Sequence, residues 1–155
     1  DPAEFVDQIF GSIEADLTRP PTDDERARLV AMAPHVQERT KLLTDIVGQV
    51  RFLVVDNVEF DEASWAKVMT KPGVADILDA ALEHLSAIDN WDVPSIEDTL
   101  RAMIAALEMG AGKGLQPIRV AVSGSTVSPP LFESLEALGR ETTLERVRRA
   151  RSLVG

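Results

Sequence analysis

Two adjacent prolines, Pro129 and Pro130, constrain this chain more than any other feature, because neither offers a backbone amide and each fixes its own φ. They follow Ser128 and precede Leu131, Leu135 and Leu138, which recur at helical spacing up to Gly139. The pattern predicts a sharp corner and then an amphipathic helix. Ser128 is placed to act as its N-cap, a proline occupies the first helical position, and Gly139 closes the helix with a left-handed residue. Upstream, Ile118-Arg119-Val120-Ala121-Val122-Ser123-Gly124 brings a guanidinium close in sequence to that corner. A helix N-terminus with free amides beside an arginine suits a phosphate or a base edge, although the geometry alone favours a plain helix–turn–helix corner.

The rest of the chain is also helical in pattern. Phe5, Ile9 and Ile13 predict a first helix ending near Asp16, broken by Thr18-Arg19-Pro20-Pro21. Thr22 and Glu25 have capping-box spacing for a helix to about Met32, closed by Pro34. Val36, Leu43, Val47 and Val50 predict a longer helix after a break, and Asp56-Asn57 a turn. Asp61 is a good N-cap for a short helix with Trp65, Val68 and Met69, and Pro72-Gly73 opens a helix striped by Ile77, Leu78, Ala81, Leu82 and Leu85. Ser95 is read as the cap of a helix carrying Ile96, Leu100, Met103, Ile104 and Leu107. Gly110, Gly112 and Gly114 read as a flexible connector, and Thr142 with Glu145 as a capping box for the last helix. The β-branched runs Arg51–Val55 and Ile118–Val122 have no hairpin partner, so both are taken as helical or irregular. The expected fold class is all-α. No fixed-period repeat is present, and the pattern changes near Phe60, which divides the chain into residues 1–60 and 61–155.

At 155 residues, 45% hydrophobic and 27% charged, the chain is long enough to bury a core and reads as globular. It has no cysteine, which excludes disulfides and thiol chemistry and is compatible with a reducing compartment. No apolar run approaches a membrane span, and a start at Asp1-Pro2 without methionine is expected of a fragment or processed product. The net charge of −10 opposes phosphate binding, but it is unevenly spread. Residues 111–155 carry seven basic side chains against four glutamates, a net of +3, leaving −13 for the rest. Either a basic face lies on an acidic body, or Arg146, Arg148, Arg149 and Arg151 complement a helix C-terminus and stay solvated.

Catalytic groups are scarce. His35 and His84 are the only histidines and have no carboxylates at ligand spacing. Asp23-Asp24-Glu25 suits a helix start better than a metal, and Ser123, Ser125 and Ser128 lack a histidine base. Gly110–Gly114 lacks the spacing and trailing hydroxyl of a phosphate loop. Trp65 and Trp91 fall among apolar positions or at a link, where core packing is favoured over base stacking.

Taken together, Ile118–Ala121, Ser123-Gly124, Ser128–Glu133 and Leu138–Glu141 resemble the RVAxTG…SPPLFExLExLGRE signature near the C-terminus of bacterial glutamyl-tRNA synthetases. Pro2–Phe5 and Val36–Leu42 resemble, less specifically, earlier parts of the same region. The resemblance implies two small helical subdomains, residues 1–60 and 61–155, forming a helical cage for an anticodon. It implies that Arg119 contacts the anticodon, stacking on an unpaired base or gripping its edge. It matches Ser128 to a base-contacting hydroxyl, Pro129 and Leu131 to a rigid apolar surface for splayed bases, and Arg39, or Lys41 nearby, to the residue that reads the third base. Each polar contact is worth on the order of 1–3 kcal/mol.

The HIGH-type and KMSKS-type motifs that bind ATP in class I synthetases are not found in this sequence. The resemblance therefore implies an anticodon-binding region without catalytic residues, cofactor or metal of its own. ATP and Mg²⁺ would serve the parent ligase. The implied partners are glutamate tRNA and the parent's catalytic domain, in a cytoplasmic monomer with no membrane contact. The competing reading is an acidic helical protein-interaction domain without RNA binding, which the net charge favours. A small autonomous enzyme has almost no residue-level support.

Overall fold

The computed structural model describes residues 22–37 and 43–154. The first predicted helix, the Thr18–Pro21 break, Arg39 and Lys41 lie outside the described residues. Among the described residues eight α-helices follow one another: α1 (Asp23–Gln37), α2 (Leu43–Val50), α3 (Glu62–Ser64, continuing into a π-helical turn Trp65–Met69), α4 (Val74–Ser86), α5 (Val93–Ala106), α6 (Ala111–Ser123), α7 (Leu131–Leu138) and α8 (Arg140–Leu153). The described residues include no strand. Arg51–Leu53 forms a 3-10 turn and Ile118–Val122 lies within α6, so both β-branched runs follow packing over intrinsic propensity.

Several starts are built as the residue types dictate. The Thr22 amide donates to Glu25 Oε1 at 2.8 Å and the Glu25 amide to Thr22 Oγ1 at 3.2 Å, a reciprocal capping box. Asp61 Oδ2 accepts from the Ser64 amide at 2.9 Å and caps α3. Others differ from the sequence reading. The cap of α5 is Asp92, which accepts from the Ser95 amide at 2.9 Å, with Pro94 in the first turn. Gly139 is the cap residue of α8, so Thr142 lies inside the helix and accepts from Arg28 Nη2 at 3.2 Å instead of capping.

Helix α1 runs past Pro34 to Gln37. An interior proline costs about 3 kcal/mol, but Leu29, Met32 and Ala33 are all buried on that helix. All three precede the proline and anchor α1 to the core.

Gly110–Gly114 is not a connector. Gly110 caps α6, and Gly112 and Gly114 belong to its first turn. A Cβ at Gly114 would overlap Ile104 Cγ2, so this glycine lets α6 lie directly against α5. The sequence signal of a flexible loop was in fact a close helix crossing.

A single apolar cluster runs through the described residues. It joins Leu29 and Met32 of α1, Phe52–Val54 and Val58 of the link, Ile77, Leu78 and Leu85 of α4, and Leu100 of α5. Ile118 of α6, Leu135 of α7 and Val147 of α8 complete it. Helix α4 packs against α5, α6 and α8, while α7 bridges α1 and α5. Buried residues on both sides of Phe60 thus share one core.

Candidate nucleic-acid interface

The corner between α6 and α7 is tied down from three sides. On the first, Arg119 Nη1 donates to Ser128 Oγ at 2.6 Å, to Pro129 O at 2.7 Å and to Ser128 O at 3.2 Å. The charged donor captures the serine hydroxyl, so Ser128 does not cap α7. Pro130 holds the cap position instead, and its carbonyl accepts from the Ser134 hydroxyl at 2.7 Å and the Ser134 amide at 3.1 Å.

On the second side, Ser123 Oγ donates to Arg119 O at 2.6 Å and to Ser125 O at 3.0 Å, and Ser125 Oγ accepts from the Val127 amide at 3.1 Å. On the third, α3 reaches across. The Asp61 amide donates to Gly124 O at 2.8 Å, and Ser64 Oγ accepts from the Thr126 amide at 3.1 Å while donating to Asp61 Oδ2 at 2.8 Å. Gly124 has φ of 83°, and a Cβ there would overlap Glu59 O. Only glycine fits both conditions. The Ser64 amide and then the Ser64 hydroxyl hold the Asp61 carboxyl below the ordinary carboxylate range.

Of the sequence-derived site residues, Arg119 and Ser128 are half-buried and bonded to each other. Pro129 and Leu131 are buried, and Leu131 belongs to the core. Val127, which the sequence reading did not single out, stands at the tip with 70% of its surface exposed. Beside the corner lies a cleft of about 300 Å³ lined by Arg51, Phe52, Glu59, Asp61 and Ser123–Ser125, among others. Arg39 lies outside the described residues.

Of the four arginines of α8 expected to stay solvated, Arg148 and Arg149 are exposed and Arg151 is half-buried, whereas Arg146 is not solvated. Arg146 is buried, with Nη1 donating to Phe52 O at 2.7 Å and Val122 O at 2.8 Å, and Nη2 to Val55 O at 2.9 Å. Burial, followed by the charge of Arg28, lowers its pKa to about 10. Arg149 donates to Val58 O at 2.7 Å and lies over the Phe60 ring, and Arg151 pairs with Asp79 at 2.8 Å. Arg140 donates to Ile88 O and covers the Trp91 ring, whose Nε1 donates to Leu135 O at 2.8 Å. Trp65 packs against Phe60 and the core. Arg146 was detectable in the sequence. It sits three positions after Thr143 and four before Ala150, on the inward face of α8.

A model of the family described as "Anticodon binding domain" matches residues 4–151. The chain belongs to this family. Anticodon-binding domains of this kind are part of glutamate–tRNA ligases, to which the chain is homologous. It is 46% identical over 131 residues to the glutamate–tRNA ligase of Salinispora arenicola, covering 84% of this chain and 28% of the relative. The enzyme of Mycolicibacterium smegmatis is 46% identical over 129 residues, covering 83% and 26%. The chain therefore spans little more than a quarter of these relatives. The solved glutamate–tRNA ligase of Elizabethkingia meningosepticum superposes with a TM-score of 0.79 at 21% identity, over 99% of this chain and 30% of that one. The Elizabethkingia anophelis synthetase gives 0.71 at 21%, over 96% and 28%. The all-α fold is thus that of the family, and the competing reading as an acidic protein-interaction domain is not favoured. Among the described residues no helix is long and apolar enough to cross a membrane, and no cluster of His, Asp and Glu is able to hold a metal.

Proposed function

We propose that this domain reads the anticodon of glutamate tRNA for a glutamate–tRNA ligase, with the α6–α7 corner as its reading surface. The observation that carries the proposal is the bracing of Ser123–Pro130 by Arg119, Asp61 and Ser64, on the fold of an anticodon-binding family. A braced corner meets an unstacked base without first losing conformational entropy, which is what makes a rigid site selective.

Arg119, Ser128, Pro129 and Leu131 take different parts in this reading. The Arg119 guanidinium, half-exposed, contacts a base while its Nη1 holds the turn. Ser128 presents its hydroxyl beside it. Pro129 and Leu131, buried through their side chains, fix the main chain of the corner against which bases lie. Arg39 reads the third base from the earlier region, and the subdomain division near Phe60 separates the two contacts. In the complete ligase, a cytoplasmic monomer, a separate catalytic domain uses ATP and Mg²⁺ to join glutamate to the tRNA that this domain has selected.

The test is a titration of the protein with glutamate tRNA. Arg119→Ala is expected to weaken binding about tenfold or more, equivalent to about 1.4 kcal/mol. Unchanged affinity would remove Arg119 from the interface.

A further inference from the structure

Three of the four lysines in this acidic chain converge on one place. Lys67 from the π-helical end of α3, Lys71 from the turn after it and Lys113 from the first turn of α6 line a pocket of about 400 Å³. All three are exposed. The floor is apolar, made by Val68, Pro72, Val74, Ile77 and Pro117, and no carboxylate lines it. Gln116 stands at the same pocket, and its Oε1 is buried without a hydrogen-bond partner among the described residues.

These features describe a ligand of mixed character. A buried amide oxygen without a donor carries an uncompensated desolvation cost, which a ligand donor would relieve. Three exposed ammonium groups around a pocket that no carboxylate lines attract an anion, while Arg140, Arg146 and Arg149 of α8 are each held by main-chain carbonyls elsewhere. An apolar wall beside the anion site accepts a flat ring. A nucleotide combines phosphate, ring and exocyclic amino donor.

We propose that this pocket receives one unpaired nucleotide of the bound RNA, a few positions along the strand from the bases at the α6–α7 corner. Its phosphate meets Lys67, Lys71 and Lys113, its base lies on Val68, Pro72 and Pro117, and an amino group of adenine or cytosine donates to Gln116 Oε1. The placement rests on the anticodon-binding reading. Lys113 and Ser123 are ten positions apart on α6, about 15 Å along its axis, so one helix serves both contacts.

Two measurements separate this proposal from the reading it rests on. In the first, CMP, AMP, UMP and inorganic phosphate are titrated separately into the isotope-labelled protein. CMP and AMP are expected to shift amide resonances of Lys67, Lys71, Gly112, Lys113 and Gln116. UMP should act several-fold more weakly, and Gln116→Leu should abolish that preference. If CMP and AMP leave these resonances unmoved, or act no differently from inorganic phosphate, the nucleotide pocket is overturned.

In the second, the Lys67→Gln/Lys71→Gln/Lys113→Gln variant is titrated with the anticodon stem–loop of glutamate tRNA at several salt concentrations. Affinity should fall about tenfold, and the slope of log K against log salt should become shallower by about 0.7 for each phosphate that the variant no longer neutralises. The preference for the cognate anticodon should survive. An unaltered slope overturns the pocket's part in RNA binding, even where Arg119→Ala still weakens the complex. Nucleotide shifts at the pocket in a protein indifferent to the anticodon would uphold the pocket and overturn the anticodon reading alone.

Discussion

Arg146 and Arg119 perform the same act in two different surroundings. Both bond their guanidinium to main-chain carbonyls that no helix uses: Phe52, Val55 and Val122 for Arg146, Ser128 and Pro129 for Arg119. Arg146 is sealed in, and its charge is held in a medium that lowers its pKa. Arg119 is only half-buried. In the first surroundings, an arginine is a fixed strut that joins the 3-10 link to α6 and α8. In the second, it braces a corner at the protein surface. The lesson is that a basic sequence region need not be a basic surface. What an arginine does depends on which carbonyls have been left for it.

The largest expected effect is at the strut. Arg146→Met strands the carbonyls of Phe52, Val55 and Val122 and should cost about 3–5 kcal/mol in urea unfolding. A loss below about 1 kcal/mol would show that water satisfies those carbonyls and that the strut is dispensable. Next come the two close approaches. Gly114→Ala drives a methyl into Ile104 and Gly124→Ala drives one toward Glu59 O, each costing about 1–3 kcal/mol. The two should part company in function, because only Gly124 belongs to the corner. Gly124→Ala is expected to weaken RNA binding beyond its effect on folding, and Gly114→Ala only in proportion to it.

Arg119→Ala should reverse the balance seen at Arg146. Its stability loss should be about 1 kcal/mol, typical of a side-chain hydrogen bond, while binding falls tenfold. If folding suffers more than binding, Arg119 is a second strut and the contrast disappears. The smallest effect is with pH. Hydrogen bonds from Ser64 and Ser95 depress the carboxyl pKa values of Asp61 and Asp92 below 3.8. Their contribution to stability is therefore present above that ordinary value and is lost as pH falls through the lower folded values. Thermal unfolding followed from pH 6 downwards should show a steeper acid loss in the native protein than in Asp61→Asn/Asp92→Asn.

Much of this fold was legible because local chemistry and tertiary packing agree. The Thr22–Glu25 box, the Asp61 cap and the apolar stripe of α4 were read from spacing alone, and each is present. Readings failed where a long-range partner outbid a local one. Ser128 had the sequence of an N-cap, but a guanidinium nine residues away took its hydroxyl. The glycines at the start of α6 resembled a loop, but Gly112 and Gly114 are helical and the smallness of Gly114 serves the contact with Ile104. Ser95 and Thr142 are good capping residues with better-placed competitors in Asp92 and Gly139.

The corner itself was legible from Ser128–Leu131. Its bracing by Asp61 and Ser64 was not, since sequence spacing carries no information about contacts some sixty residues apart. The lysine pocket was hidden for the same reason, because Lys67, Lys71 and Lys113 meet only once α3 and α6 have packed.

The account stands on a corner preformed to read bases, so discrimination is its most direct test. The protein should be titrated with two anticodon stem–loops at one salt concentration, one carrying the glutamate anticodon and one with its three bases exchanged. The account predicts at least about tenfold tighter binding of the first, with most of that preference lost in Arg119→Ala. Equal affinity for both RNAs in the native protein would contradict it.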